Sequence, residues 1–195
     1  MTNLTSCIRS SVSGLALIAF IGTSALCAQE VDQSDPVLIF NKLCYSQVPA
    51  VTSIRSLANQ MAFPSIGGDD LKRFTPLENP KLLEGWDVKL GKRLYRLGVV
   101  QSELPESAKA TFAEFADGTS TSCSLILDGE DDASLVLERM NALTGKQPSS
   151  TDVPEGELLS TSWSGGNEDF KVFAFMKSNT EGKTNLLNVT IFSKE

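Results

Sequence analysis

Hydrophobic residues near the amino end of the chain recur every three or four positions, which is the period of one helix face. Phe40, Leu43 and Cys44 share such a face, and Asp35 and Pro36 precede them. An aspartate at this place can accept hydrogen bonds from the free N–H groups of a helix, and a proline at the first helical position removes no needed donor. The pattern therefore predicts a helix that begins at Pro36.

A second apolar stripe, over residues 49–61, predicts another helix. Residues 62–85 then follow neither the helical nor the strand period, and they contain three prolines and three glycines. Long irregular segments of this kind often carry function in compact domains. We interpret this segment as a loop and as the first place to look for a binding surface.

A period of two residues, which is typical of strands, begins at Trp86. The residues up to Val100 predict a strand, or a hairpin that turns at Gly91. Residues 108–127 carry a further hairpin signal, with the turn at Asp117-Gly118.

A third helix is predicted over residues 132–144, because the helical period returns and Gly145 provides a stop signal. The residues expected to face the core from this helix are Leu135, Val136, Met140 and Leu143.

After a polar connector, residues 146–156, the chain predicts three more strands, over residues 157–164, 170–177 and 184–192. The middle one is apolar on both faces, so we expect it to lie inside the sheet. This order of elements predicts an α+β fold, with a mainly antiparallel sheet and helices packed on one face.

The first 28 residues are interpreted as a signal peptide. Residues 14–22 form an apolar run that is too short to span a bilayer, and small residues follow it. Cleavage is predicted after Ala28, with Ala25 as the alternative, which leaves residues 29–195 as a single α+β domain. An uncleaved anchor is the other interpretation, and lipidation of Cys27 is disfavoured because Leu26 is not small.

The chain is acidic, with 17 Lys and Arg against 24 Asp and Glu and a net charge of −7. An acidic domain repels phosphate backbones, so nucleic acid is not an expected partner. The four cations of Lys89–Arg96 are interpreted as solvated side chains at a sheet edge. No membrane span is expected after removal of the signal.

Two of the four cysteines, Cys7 and Cys27, lie in the predicted signal. The remaining pair, Cys44 and Cys123, predicts one disulfide, because an exported domain with two cysteines usually joins them.

Histidine is absent from the chain, which removes the usual base of nucleophilic catalysis and the commonest ligand of transition metals. We therefore predict no catalytic residue, cofactor or metal site. The acidic run Asp128–Asp132 is best explained as the start of a helix, where negative charge is favourable. Carboxylate catalysis and calcium binding are the alternatives for this run.

Three further features have structural interpretations. Gly67–Asp70 and Ser162–Asp169 are expected to be turns, and the two tryptophans, Trp86 and Trp163, are expected to pack in the core or at a sheet edge. Asn188 begins a glycosylation sequon, but it lies on a predicted strand, which argues against its use.

The chain resembles a group of small exported proteins of alphaproteobacteria. The resemblance rests on the signal peptide, a helix with Phe40-x-x-x-Cys44, an irregular segment and a later strand that carries Cys123. It covers residues 40–144 and leaves out residues 157–193. It implies a periplasmic location and a disulfide between the two cysteines, and it implies no activity.

Together these features lead us to expect an exported, periplasmic, non-catalytic domain that binds a protein or an envelope component. The first alternative is a small-ligand binding protein with a cleft near residues 62–85, and the second is a carboxylate-dependent hydrolase. An enclosed apolar pocket would favour the first alternative, and two carboxyl groups ~5–10 Å apart in a cleft would favour the second. A flat apolar patch would favour a macromolecular partner.

Overall fold

Seven strands and four α-helices form the described part of the chain, which is residues 35–75 and 80–194 of a computed structural model. The helices are α1 Pro36–Phe40, α2 Val51–Gln60, α3 Glu106–Thr111 and α4 Ala133–Thr144. The strands are β1 Leu82–Leu90, β2 Arg93–Glu103, β3 Thr119–Asp132, β4 Ser150–Glu155, β5 Leu158–Gly166, β6 Phe170–Asn179 and β7 Lys183–Ser193. A π-helical turn, Asn41–Tyr45, continues α1, and 3-10 turns cover Gly68–Phe74 and Ala113–Phe115.

The predicted signal peptide lies outside the described residues. The same holds for its cleavage site Ala28 and for Cys27. All described residues belong to one compact unit. No helix among them is long and apolar enough to span a membrane.

The seven strands make one antiparallel sheet in the order β1-β2-β3-β7-β6-β5-β4. The first three strands build the sheet from one edge to its centre. The chain then passes through α4 to the other edge and returns strand by strand until β7 pairs with β3. This confirms the predicted α+β class, and β6 lies inside the sheet as expected.

The main core lies between one face of the sheet and a layer formed by α1, the π-helical turn, α2 and α4. Helix α1 begins as predicted, because Oδ1 of Asp35 accepts a hydrogen bond from the backbone N–H of Val37 at 3.0 Å and Pro36 fills the first position. The apolar stripes of these helices are buried against the sheet, and this burial sets the positions of the helices. Fully buried members of the core include Phe40, Leu43, Ile54, Tyr95, Leu97, Leu125, Met140 and Leu187.

The predicted disulfide between Cys44 and Cys123 is confirmed. It joins the π-helical turn to the centre of β3, with a Cα–Cα distance of 5.4 Å and a sequence separation of 79 residues. Both cysteines are buried in the main core. The bridge therefore fixes the amino-terminal helices to the middle of the sheet.

The hairpin predicted over residues 108–127 is wrong in its first half. Glu106–Thr111 forms helix α3, which follows Pro105, and β3 pairs instead with β2 and β7. The segment is held by a second small core, in which Leu104, Phe115 and Phe192 are buried. Tertiary packing and good helix formers in this stretch outweigh the weak strand pattern.

Smaller expectations also fail. Strand β1 begins at Leu82, inside the predicted loop 62–85, and β5 continues to Gly166, inside the turn expected over Ser162–Asp169. Leu135 was expected in the core, but it is 54% exposed because Val136 and Met140, four residues apart, set the buried stripe of α4. The connector 146–156 contains β4, an exposed edge strand whose polar sequence has no period. Its Pro154 is typical of sheet edges.

Candidate ligand-binding groove

The face of the sheet opposite the helical layer carries small polar residues on its central strands. Ser124 of β3 pairs with Gly98 of β2 and with Asn188 of β7, and Ser122 pairs with Thr190. Side chains alternate between the two faces of a strand, so these residues project away from the main core. The helices of the main layer pack on the other face, so they do not cover this polar centre.

These polar side chains bond to one another, and we call Ser122, Ser124, Asn188 and Thr190 the polar floor. The amide nitrogen of Asn188 donates to Oγ of Ser122 and of Ser124, each at 2.8 Å. Oγ1 of Thr190 lies 3.1 Å from Oγ of Ser122 and 3.1 Å from Oδ1 of Asn188, and it donates to one of them. The floor is thus small in volume and already hydrogen-bonded.

Aromatic rings stand beside the polar floor, and we call Phe112, Phe173, Phe175 and Phe192 the aromatic wall. Ring centroids of Phe112 lie 5.4 Å from Phe173 and 5.7 Å from Phe192, and those of Phe173 and Phe192 lie 5.2 Å apart. Phe175 stacks on Phe173 at 6.5 Å. Tilted and offset pairs at these distances stabilise the cluster beyond its burial alone.

A segment from the predicted irregular region crosses this face over β2. We call residues 66–75 the crossing segment; it includes the 3-10 turn Gly68–Phe74. The ring of Phe74 lies so close to Gly98 that a Cβ there would overlap it. Nη1 of Arg96 donates to Asp70 at 3.0 Å, which ties the segment to the sheet. The crossing segment therefore forms a second wall opposite the aromatic wall.

An open groove runs between these walls and has two compartments. The first, of about 530 Å³, lies against the aromatic wall and helix α3, with Ser120, Ser122 and Thr190 beneath it. The second, of about 540 Å³, lies over Ser124, Asn188 and Leu186. The compartments share Phe74, Thr75 and Phe175, so they form one continuous surface.

Cations concentrate at the second compartment. Its lining includes Lys72, Arg73 and Lys177, and Glu155 is the one carboxylate among the described residues of that lining. Lys177 pairs with Glu155 at 2.9 Å, and the exposed Lys72 pairs with Asp69 at 2.6 Å. Arg73 makes a long contact of 3.7 Å with Asp70. Cations thus outnumber carboxylates among the described lining residues, which contrasts with the acidity of the whole chain.

The acidic run Asp128–Asp132 forms the end of β3 and lines neither compartment. Arg93 donates to Asp128 from Nε at 2.6 Å and from Nη2 at 2.5 Å, and Nη2 also donates to Asp131 at 2.6 Å. The hydrogen bonds from Arg93 lower the pKa of Asp128, whereas burial raises the pKa of Asp131. Burial also raises the pKa of nearby Tyr95 to about 12, so its phenol stays neutral. This cluster is a clamp between β2 and the end of β3.

The acidic run was expected to start a helix, but it ends β3, and only its last residue, Asp132, caps α4. Oδ1 of Asp132 accepts from the backbone N–H of Ser134 at 3.0 Å and of Leu135 at 3.3 Å, at the start of α4. The side-chain hydrogen bond from Ser134 lowers the pKa of Asp132. Among the described residues there is no group of three or more Asp, Glu or Cys side chains placed to hold a metal ion.

The remaining residues singled out in the sequence have structural roles. Trp86 and Trp163 are buried on the helical side, and Nε1 of Trp163 donates to Oδ1 of Asn141 at 2.9 Å. The amide of Asn188, in the sequon, is engaged in the polar floor. Of the predicted loop 62–85, the part that reaches the groove is Lys72–Thr75.

Sequence reasoning did not find the polar floor or the aromatic wall, although both left a signal. Ser122 and Ser124 alternate with buried Cys123 and Leu125 in the middle of a central strand. Phe173 and Phe175 alternate in the same way with Ala174 and Met176. Polar residues at central positions indicate a face that lacks a packed layer, but the alternation alone cannot show that aromatic residues from β6 stand beside them.

Comparisons with known proteins gave no match: no protein-family model, no curated protein and no solved structure is similar to this chain.

Proposed function

We propose that this chain is an exported, non-catalytic binding protein that holds a small ligand in the groove on the open face of its sheet. The observation that carries the proposal is the groove itself, where an aromatic wall and the crossing segment enclose a floor of small residues. Ligand sites are typically concave and mostly apolar, with a few polar groups. The groove includes part of the predicted loop 62–85, which favours the small-ligand alternative over a flat protein interface.

A binding role, rather than catalysis, is supported by the chemistry along the groove. The chain has no histidine. Glu155 is paired with Lys177, and the two carboxylates at Arg93 serve a clamp that lines neither compartment. The proposed ligands include small apolar components of the cell envelope. The acidic charge argues against nucleic acid.

A periplasmic location is part of the same proposal. Disulfides persist in oxidising compartments such as the bacterial periplasm, and the Cys44–Cys123 bridge lies in the main core. The apolar run in residues 14–22 and the resemblance described above support export. A groove that faces solvent in that compartment would be open to small molecules of the envelope.

The proposal can be tested with Nile red, a neutral apolar dye whose emission rises in apolar sites. We expect the purified, oxidised protein to enhance its emission in a saturable way. Thr190→Phe and Thr111→Trp, which fill the first compartment from the floor and from α3, should abolish the enhancement. Thr151→Phe, on the exposed edge strand β4, is the matched control and should retain it.

Thermal unfolding of each variant shows whether the fold is intact. Absence of saturable enhancement in the native protein would overturn the proposal. Equal enhancement in both groove-filling variants and in the control would also overturn it, because the dye would then be bound elsewhere.

A further inference from the structure

The two compartments of the groove differ in chemistry. The first has rings on one side and small polar residues beneath, and the described residues of its lining include no charged side chain. The second has, among the described residues of its lining, three cations and one carboxylate. A ligand that fills both must therefore combine an apolar part with a negative group.

The floor of the first compartment suits an apolar chain. A polar group that loses water without a new hydrogen bond is costly, but the hydroxyl groups of Ser122 and Thr190 already bond within the polar floor. Ser102 likewise donates to the backbone carbonyl of Glu103 at 2.8 Å. An apolar chain could lie over these residues without leaving them unpaired.

A sugar is the competing occupant, because sugars also bind beside aromatic rings and hydroxyl groups. Recognition of a sugar needs polar side chains whose hydrogen bonds are directed at the ligand. Here the polar floor bonds internally, and the rings of Phe112, Phe173 and Phe192 are tilted against one another rather than set as a flat platform. The first compartment therefore fits an apolar chain better than a sugar ring.

The cations at the second compartment are available to an incoming anion. The pair between Lys72 and Asp69 is highly exposed, and the contact of Arg73 with Asp70 is long, so both are weak. Lys177 pairs with Glu155, whose side chain is 56% exposed. A carboxylate or phosphate placed among the three cations would gain charge-assisted hydrogen bonds.

The length of the groove follows the strands. Phe192 lines the first compartment and Leu186 the second, and both lie on the same face of β7, six residues apart. At a rise of roughly 3.3 Å per residue, they are about 20 Å apart along the strand. An extended single-chain molecule of that length can place its tail on the aromatic wall and its head among the cations.

The geometry points to a single-chain amphiphile with an anionic head as the ligand, its tail in the first compartment and its head beside Lys72, Arg73 and Lys177. This inference rests on the proposed function, because it assigns the ligand class of the same groove. The shared chemistry covers a fatty acid, with a carboxylate head, and a lysophospholipid, with a phosphate head.

Isothermal titration calorimetry with the purified, oxidised protein tests the inference with four probes below their micelle concentrations. Dodecanoate and dodecyl phosphate represent the two kinds of head, dodecyl maltoside has the same tail and a neutral head, and butyrate has the head without the tail. We expect an anionic dodecyl probe to bind about tenfold more tightly than dodecyl maltoside. Butyrate should show no measurable binding. The better of the two anionic probes identifies the head group.

Two triple variants with the same change in net charge separate a local from a general effect. Lys72→Gln/Arg73→Gln/Lys177→Gln should lose the preference for the anionic head. Its matched control, Lys42→Gln/Lys89→Gln/Lys92→Gln, removes three lysines that line neither compartment and should keep the preference. Thermal unfolding confirms that both variants are folded.

The inference is overturned if dodecyl maltoside binds as tightly as the anionic probes, or if the two triple variants behave alike. Maltose, titrated as an additional control, should not bind; its binding would also overturn the inference, because it would indicate a sugar site. Saturable Nile red binding without any dodecyl binding would overturn the amphiphile and leave the proposed function standing. Absence of saturable Nile red binding would overturn the proposed function as well.

Discussion

The ring of Phe74 lies directly against the backbone of Gly98, and this contact sets the position of the crossing segment on the open face of the sheet. A turn does not explain the glycine, since Gly98 lies in the middle of β2 between Leu97 and Val99. Its role is to leave room for the ring. One wall of the groove therefore depends on the absence of a side chain.

Gly98→Ala should displace Phe74, because the new Cβ would overlap its ring. We expect a loss of about 1–3 kcal/mol in the free energy of unfolding, as for other overpacked sites, together with altered Nile red binding. Gly67→Ala is the matched control, since nothing lies within 4 Å of its Cβ position, and it should change stability little. Urea unfolding measures both. Equal stability of the two variants would contradict the described contact.

The disulfide between Cys44 and Cys123 should make a large contribution to stability. It closes a long loop, so the chain-entropy account gives an upper figure of about 4–5 kcal/mol for its removal. The double variant Cys44→Ala/Cys123→Ala should unfold at a lower urea concentration by a comparable free energy. Peptide mapping of the unreduced protein should recover the two cysteines in one cross-linked pair. Recovery of both as free thiols would contradict the bridge.

The two carboxylates bound by Arg93 should respond in opposite ways to removal of their charge. The pKa of Asp128 is lowered, so its ionised form stabilises the fold at any pH above ~3.9, the ordinary pKa of an aspartate. This stabilisation is lost as the pH falls through the lowered pKa of Asp128. The pKa of Asp131 is raised by burial, so its ionisation opposes folding as pH rises through the raised value.

At neutral pH, Asp128→Asn should therefore lower the free energy of unfolding by about 1 kcal/mol, given that the pair is partly exposed. Asp131→Asn should leave it nearly unchanged or slightly raised. The difference between the variants should shrink in acid, where Asp128 is protonated in the native protein too. Urea unfolding of both variants at neutral and acidic pH measures these free energies. If Asp131→Asn were the less stable variant at neutral pH, the described cluster of Arg93, Asp128 and Asp131 would be contradicted.

Both tryptophans report on the main core and not on the groove. Trp86 is 5% exposed and Trp163 is 2% exposed, and both pack on the helical side of the sheet. Bound dodecanoate should therefore leave the wavelength of maximum tryptophan emission unchanged, whereas urea should shift it to the red. Should dodecanoate shift this wavelength while the protein stays folded, the ligand would lie on the helical side.

Local patterns predicted most of the elements, because their causes are local. The cap at Asp35, the stop at Gly145 and the alternation of Cys123 and Leu125 each depend on a few neighbouring residues. The edge strand β4 has no such pattern, since both of its faces are exposed and polar. Strand β4 is defined by its hydrogen bonds to β5, the next strand along the chain, and not by its own sequence pattern.

The groove could not be assembled from the sequence for a different reason. Its walls come from places far apart in the chain: Phe74, Phe112 and Phe173 reach one face only through the sheet order. The hairpin turn at Gly91 likewise divides the cations of Lys89–Arg96 between two strands, with Lys89 of β1 opposite Leu94 of β2. Alternation identifies which residues share a face within a strand, and it does not determine which strands are neighbours.

A substitution at the end of α2 should stabilise the protein without touching the groove. Ala62 adopts a left-handed conformation, with φ of 53°, and its N–H donates to the carbonyl of Asn59 while that of Phe63 donates to Ala58. This is the Schellman arrangement, in which glycine is the preferred residue because it has no Cβ to strain.

We therefore expect Ala62→Gly to raise the free energy of unfolding by about 0.5–1 kcal/mol, since relief of strain exceeds the added freedom of the unfolded chain. The matched control is Ala58→Gly, in the same helix, which removes a buried methyl group and should lower stability by about 1 kcal/mol. Urea unfolding of both variants gives the comparison. If Ala62→Gly destabilised the protein as much as Ala58→Gly, the helix would continue past residue 61 in solution. The crossing segment would then have to begin from a different point on the sheet.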